Sequence, residues 1–199
     1  MLKNVIFDFG AVLFEWNPNQ IVKTFTPSDE EQNLLLQQVL QHPDWISLDR
    51  GTMLIAEVIP KFSARTGLPE NQIEDFIHHV IQSLTLINAT LDIVELSLSS
   101  FKTFYLTNMS ESFFESLNEQ HPIISQFDGG IVSGKELMIK PEPEIFQLLL
   151  DRYALKAEES LFIDDNLDNI LAAKQLGFDT VLFDKSSQCY KQLLEKIRL

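Results

Sequence analysis

The chain has 199 residues, 45% hydrophobic and 10% aromatic, with 15 Lys+Arg against 29 Asp+Glu and a formal charge of −14. At this length it can bury a core without disulfides or metals as staples. Its acidity excludes most nucleic-acid binding, which relies on Lys and Arg to neutralise phosphates, and argues against an anionic membrane surface. Cys189 is the one cysteine, so no intramolecular disulfide can form and a reducing compartment fits. Asp8 interrupts the first apolar run before it could act as a secretory core, and no run is long enough for a transmembrane helix. The expectation is a cytoplasmic monomer or homodimer with neither nucleic-acid nor membrane partners.

The first predicted strand is Val5-Ile6-Phe7, ending in Asp8. From Asn17 to Asn88 no comparable run occurs, and the pattern is helical throughout. There, Ser28-Asp29-Glu30-Glu31 reads as a capping box, Pro43 and Pro69 as helix starts, and Gly67 as a stop. Strands resume at Phe104-Tyr105-Leu106, which ends in Thr107-Asn108, and a helix capped by Ser110 follows to about Asn118. A short strand is placed at Gly130-Ile131-Val132, and a helix starts near Pro141 and runs to Leu150. Leu161-Phe162-Ile163 ends in Asp164-Asp165, a helix from Asn166 to Leu176 closes at Gly177, and Thr180 to Phe183 forms the last strand.

Short, unalternated apolar runs separated by helices predict an α/β fold: a Rossmann-like parallel sheet with helices on both faces. Residues 1–16 and 89–199 form the expected core. Residues 17–88 form an expected small all-helical cap domain, inserted after the first strand.

Ligands of such sheets bind at the carboxyl ends of the strands, where Asp8, Thr107 and Asp164-Asp165 should converge. A carboxylate-rich cluster without thiol or histidine suits a hard cation, most simply Mg²⁺. Lys140, on the loop before a helix, is placed to add a fixed positive charge. Taken singly, a strand-end Asp is more often a cap than a catalyst; the joint pattern carries the argument. His42, His78, His79 and His121 fit no ligand spacing and read as surface or packing residues. Trp16, Trp45 and the 15 phenylalanines read as core, and Cys189 as an inert thiol.

Val5-Ile6-Phe7-Asp8-Phe9-Gly10-Ala11-Val12-Leu13, Leu106-Thr107-Asn108, Lys140-Pro141-Glu142-Pro143 and Phe162-Ile163-Asp164-Asp165-Asn166 resemble the four ordered motifs of the haloacid dehalogenase-like hydrolase superfamily. The chain is most similar to its small-cap phosphatases whose first motif reads Asp-Phe-Gly-x-Val. The resemblance implies that Asp8 is a nucleophile forming an aspartyl-phosphate. It implies that Mg²⁺ is held by Asp8, the Gly10 carbonyl and Asp165, with Asp164 acting through a water. Thr107 and Asn108 would donate to phosphoryl oxygens. Independently of the resemblance, Arg50 and Gly51 follow a short helix in the cap and read as a loop dipping towards the site, with Arg50 as a substrate contact. Two like charges about 4 Å apart oppose each other by around 4 kcal/mol at an effective dielectric near 20, and Mg²⁺ with Lys140 would offset that repulsion.

One position departs from the common pattern. Two residues after the nucleophile, where a second Asp usually serves as general acid and base, stands Gly10. Such catalysis contributes roughly 10²–10⁴-fold, so either the substrate has a good leaving group or another side chain serves; Glu15 is the substitute the sequence offers. Glycine also leaves a left-handed backbone open at this position. The first expectation is a Mg²⁺-dependent phosphatase for a small phosphorylated metabolite, a sugar phosphate or similar. The alternatives are a 2-haloacid dehalogenase, or a catalytically weak member that binds a ligand or partner.

Overall fold

Four residues, Asn4–Phe7, form β1, and all four are buried, as a strand between two covering layers must be. The structure, a computed structural model, describes residues 1–197; positions 198 and 199 of the expected core lie outside the described residues. After β1 come α1 (Pro18–Phe25), α2 (Asp29–Leu35), a π turn over Leu36–Leu40, α3 (Pro43–Arg50), α4 (Ile55–Thr66), α5 (Glu70–Gln82) and α6 (Asn88–Ser100). The chain continues through β2 (Lys102–Thr107), α7 (Glu111–Gln120), β3 (Gly129–Val132), the single turn α8 (Ser133–Glu136) and α9 (Pro143–Tyr153). It ends with β4 (Ser160–Asp164), α10 (Leu167–Gln175), β5 (Asp179–Leu182) and α11 (Ser187–Ile197).

The five strands pair in the order β3-β2-β1-β4-β5, every pair parallel. This is the expected Rossmann-like α/β fold. Successive residues of β1 feed two cores: Val5 and Phe7 pack on one face, and Ile6 packs with Phe146 and Phe162 on the other. The helix expected near Pro141 begins at Pro143, with Glu142 as its cap, and runs to Tyr153.

Between β1 and α6 the described chain holds no strand, only α1 to α5 and the π turn. It leaves and returns side by side: Glu15 N–H donates to the Thr85 carbonyl at 2.8 Å, and Ile87 N–H donates to the Leu13 carbonyl at 2.9 Å. Phe14 and Leu86 form an antiparallel bridge between these two crossings. The apolar cluster of Val5, Phe7 and Phe9 continues without a break into Leu35, Phe62 and Phe76 of the helical segment. The expected capping box is only half formed. Ser28 Oγ accepts from Glu31 N–H, but the Glu31 carboxylate takes the hydroxyl of Thr26 and the amide of Gln72, and Ser28 N–H goes to Thr26 Oγ1. No helix among the described residues is long and apolar enough to cross a membrane.

Candidate active site

The order of strands reverses at β1, whose neighbours β2 and β4 lead the chain to opposite edges of the sheet. The crevice outside the carboxyl ends of such strands is the natural ligand site of a parallel sheet. Asp8 directly follows β1, Thr107 ends β2, and Asp164 ends β4 with Asp165 next. One carboxylate oxygen each of Asp8, Asp164 and Asp165 lies within 4.8 Å of the others, so the expected convergence is realised.

Lys140 knits the group together. Its buried ammonium donates to Asp8 Oδ1 at 2.9 Å, Asp164 Oδ2 at 2.7 Å and the Leu106 carbonyl at 2.8 Å. Burial alone would lower its pKa, but Asp164 and Asp8 outweigh that and raise it, keeping the charge. Asp8 is pushed up to about 7, first by burial, with Lys140 opposing and Asp164 reinforcing the rise. Asp165, the exposed member, is raised by desolvation and then by Asp164. One ammonium against three carboxylates leaves negative charge uncompensated, and the donors are all oxygen. That set fits a hard divalent cation such as Mg²⁺.

The oxygens are divided between tasks. Asp8 Oδ1 accepts from Phe9 N–H at 2.7 Å as well as from Lys140, while its other oxygen has no protein hydrogen bond among the described residues. Asp164 is saturated: Asn166 N–H, Asn169 Nδ2 and Lys140 Nζ all donate to it at 2.7–3.0 Å. Asp164 thereby anchors Lys140 within the same carboxylate cluster. Asn108 is also employed structurally. Its side chain donates to the Lys140 carbonyl at 2.9 Å and accepts from the Lys140 N–H at 2.8 Å, fixing the loop that carries the ammonium. The Thr107 hydroxyl is buried and has no partner, which by itself costs about 1–3 kcal/mol.

A cavity of about 310 Å³ opens over these groups, and Asp8, Gly10, Asn108, Lys140 and Asp165 line it. Its wall also includes Trp16 and Trp45, which stack at 6.2 Å, and Phe113, edge-on to Trp45 at 5.8 Å. The two tryptophans thus face the site as well as the core. Arg50 is not part of the wall. Its guanidinium is taken by Glu142 in a two-pronged ion pair at 2.9 and 2.5 Å, which draws the Glu142 carboxyl below its ordinary range. The residue before it, Asp49, lines the cavity instead. Asp49 lies four residues after Trp45 on α3, hence on the same helix face, and that spacing was the signal for it in the sequence.

Gly10 does not use the left-handed freedom of glycine; the positive φ of 57° belongs to Ala11. Glu15 does not face the site. Its exposed carboxylate pairs with Lys185 at 2.5 Å. Glu15→Gln should therefore leave kcat/KM within a factor of two or so of the parent, since exposed pairs of this kind contribute about 0–1 kcal/mol. A steady-state assay that found a hundredfold loss would return Glu15 to the reaction.

The match to the haloacid dehalogenase-like hydrolase family runs over residues 5–183. The sesquiterpene phosphatase astK of Aspergillus oryzae is 30% identical over 176 residues, covering 88% of this chain and 86% of that protein. The D-ribitol-5-phosphate phosphatase of Bacteroides thetaiotaomicron is 24% identical over 188 residues, covering 90% and 91%. A crystal structure of a HAD family enzyme from Bacteroides thetaiotaomicron, in complex with magnesium and inorganic phosphate, superposes with a TM-score of 0.76 at 20% identity and covers 94% of this chain and 98% of that one. The family match extends from β1 through β5 and takes in the helical segment between them, and the chain accordingly belongs to the haloacid dehalogenase-like hydrolases.

Proposed function

We propose that this hydrolase cleaves the phosphate monoester of a small metabolite through an aspartyl-phosphate on Asp8. In this reading residues 17–88 act as a cap over the core formed by 1–16 and 89–199. The observation that carries it is the asymmetry of Asp8: one oxygen is pinned by Phe9 N–H and Lys140, and the other is free at the cavity. A pinned carboxylate with one free oxygen is an oriented nucleophile. The unpartnered Thr107 hydroxyl supports the same reading, since a phosphoryl oxygen would accept its proton. The two similar phosphatases and the phosphate-bound neighbour support the reaction class.

The chain's own residues supply most of the work. Lys140 holds a full charge beside Asp8 and lowers the repulsion between that carboxylate and an incoming phosphate dianion. Asp164 and Asn108 hold Lys140 in place from its two ends, the ammonium and the peptide. Asp8, Asp165 and the Gly10 carbonyl would hold Mg²⁺, whose contribution is charge neutralisation at the phosphoryl oxygens. The cavity volume of about 310 Å³ and its Trp16, Trp45 and Phe113 wall support a small substrate whose organic part presents an apolar or ring face.

The test is to assay phosphate release from a panel of phosphorylated metabolites with Mg²⁺ and with EDTA, and halide release from 2-haloacids in parallel. Phosphate release that EDTA abolishes is expected; halide release without phosphate release would establish the dehalogenase reading instead. A cation site built from these carboxylates also predicts a physical effect independent of turnover. Mg²⁺ at 100 times its dissociation constant should stabilise the fold by about 2.7 kcal/mol, and Asp165→Asn should shrink that gain. Identical melting curves with and without Mg²⁺ would count against the metal site.

A further inference from the structure

Phosphoryl transfer proceeds with the attacking and leaving oxygens roughly in line. With Asp8 supplied by the sheet, the leaving oxygen must face the part of the cavity lined from the helical segment. Gly10 contributes no side chain there: a Cβ at this position would meet only Trp16 Cβ, at 3.9 Å. The carboxyls lining the cavity are those of Asp8, Asp165 and Asp49. The first is the nucleophile and the second belongs to the cation site. We propose that Asp49 of α3 is the general acid and base of the reaction, doing from the helical segment what the side chain two residues after the nucleophile does in the common pattern. This rests on the phosphatase reading above.

Three further observations support the assignment. Asp49 has no cationic partner among the described residues. Burial lifts its carboxyl well above the usual range, with the Ser110 N–H the only opposing influence, which favours the protonated form that a leaving alkoxide needs. The backbone of the segment is docked independently of that side chain. Ser133 Oγ donates to the Asp49 carbonyl at 2.5 Å. Gly51, at φ +84°, lies against Gly134 so closely that a Cβ would sit 2.1 Å from the Gly134 oxygen. A side-chain replacement at 49 therefore leaves the docking contacts in place.

The step balances as follows. Asp8 Oδ attacks phosphorus, the P–O bond to the leaving group breaks, and the alkoxide takes the Asp49 proton and departs as the alcohol. Water then attacks phosphorus, the Asp8–phosphoryl bond breaks, and Asp49 carboxylate takes a water proton, which restores both carboxyl groups and releases phosphate.

The experiment compares p-nitrophenyl phosphate, whose leaving group needs no proton, with n-butyl phosphate, whose leaving group does. Wild type, Asp49→Asn and Asp49→Asn/Gly10→Asp are assayed with Mg²⁺. Asp49→Asn should lose roughly 10²-fold or more in kcat/KM on the alkyl ester and little on the aryl ester. On the aryl ester it should also show a burst of one nitrophenolate per site before slow turnover, because the second step lacks its base. The double variant should regain alkyl activity, since Gly10 has room and an ordinary φ for a side chain. An equal loss on both esters without a burst, or no loss on the alkyl ester in a variant that melts like the parent, overturns the role of Asp49 while leaving the phosphatase reading intact. A wild type that releases phosphate from neither ester nor any metabolite overturns both.

Discussion

Asp8→Asn is expected to reduce phosphate release below about one per cent of the parental rate while leaving the fold intact, because an amide cannot attack phosphorus. The fold survives because Asn keeps an oxygen for Phe9 N–H, and Lys140 keeps its bonds to Asp164 and the Leu106 carbonyl. The melting temperature should stay near that of the parent or rise, since the exchange removes a carboxylate whose ionisation burial opposes. Phosphate release at a tenth of the parental rate or more, from protein checked for deamidation, would remove Asp8 as the nucleophile.

Lys140→Ala should lose both activity and stability. The ammonium is the only cationic side chain bonded to the buried Asp164 and Asp8 among the described residues. Removing one partner of a buried pair leaves an uncompensated charge and destabilises by roughly 3–5 kcal/mol. For a chain of this size that lowers the melting temperature by on the order of 10 °C. The companion variant Lys140→Met/Asp164→Asn removes the more deeply buried of the two stranded charges, and it should recover much of the stability and none of the activity. Urea denaturation of all three proteins checks this. A double variant no more stable than Lys140→Ala would contradict the stranded charge as the cause, since Met also refills the space beside Phe162, where Lys140 Nζ lies 5.5 Å from the ring centre.

The parallel sheet was legible because a strand covered on both faces reads as an unbroken apolar run, and Val5-Ile6-Phe7 and Leu161-Phe162-Ile163 are such runs, buried throughout. Once those strands are aligned, the site follows, since the residue after each one is delivered to the same edge. Lys140 was legible by its place in the motif order, and its three acceptors bear out its charge. What sequence could not show is which distant partner a polar side chain takes. Arg50 meets Glu142, 92 residues on, and Glu15 meets Lys185, 170 residues on; neither side chain lines the cavity. Glu31 has the capping-box position but finds Thr26 and Gln72 within reach, and a carboxylate goes to the best donors available rather than to the nearest in sequence. Trp45 shows the limit of dividing residues into core and site, because a side chain 5% exposed still forms the cavity wall.

The measurement that bears most directly on the central claim is a rapid acid quench of the enzyme turning over p-nitrophenyl phosphate with Mg²⁺, followed by proteolysis and mass spectrometry. The peptide that contains Asp8 should carry the mass of one phosphoryl group, removable by hydroxylamine and absent from Asp8→Asn. A quench that finds the phosphoryl group on another residue, or finds none at any time point in an Asp49→Asn enzyme still releasing phosphate, would contradict covalent catalysis by Asp8.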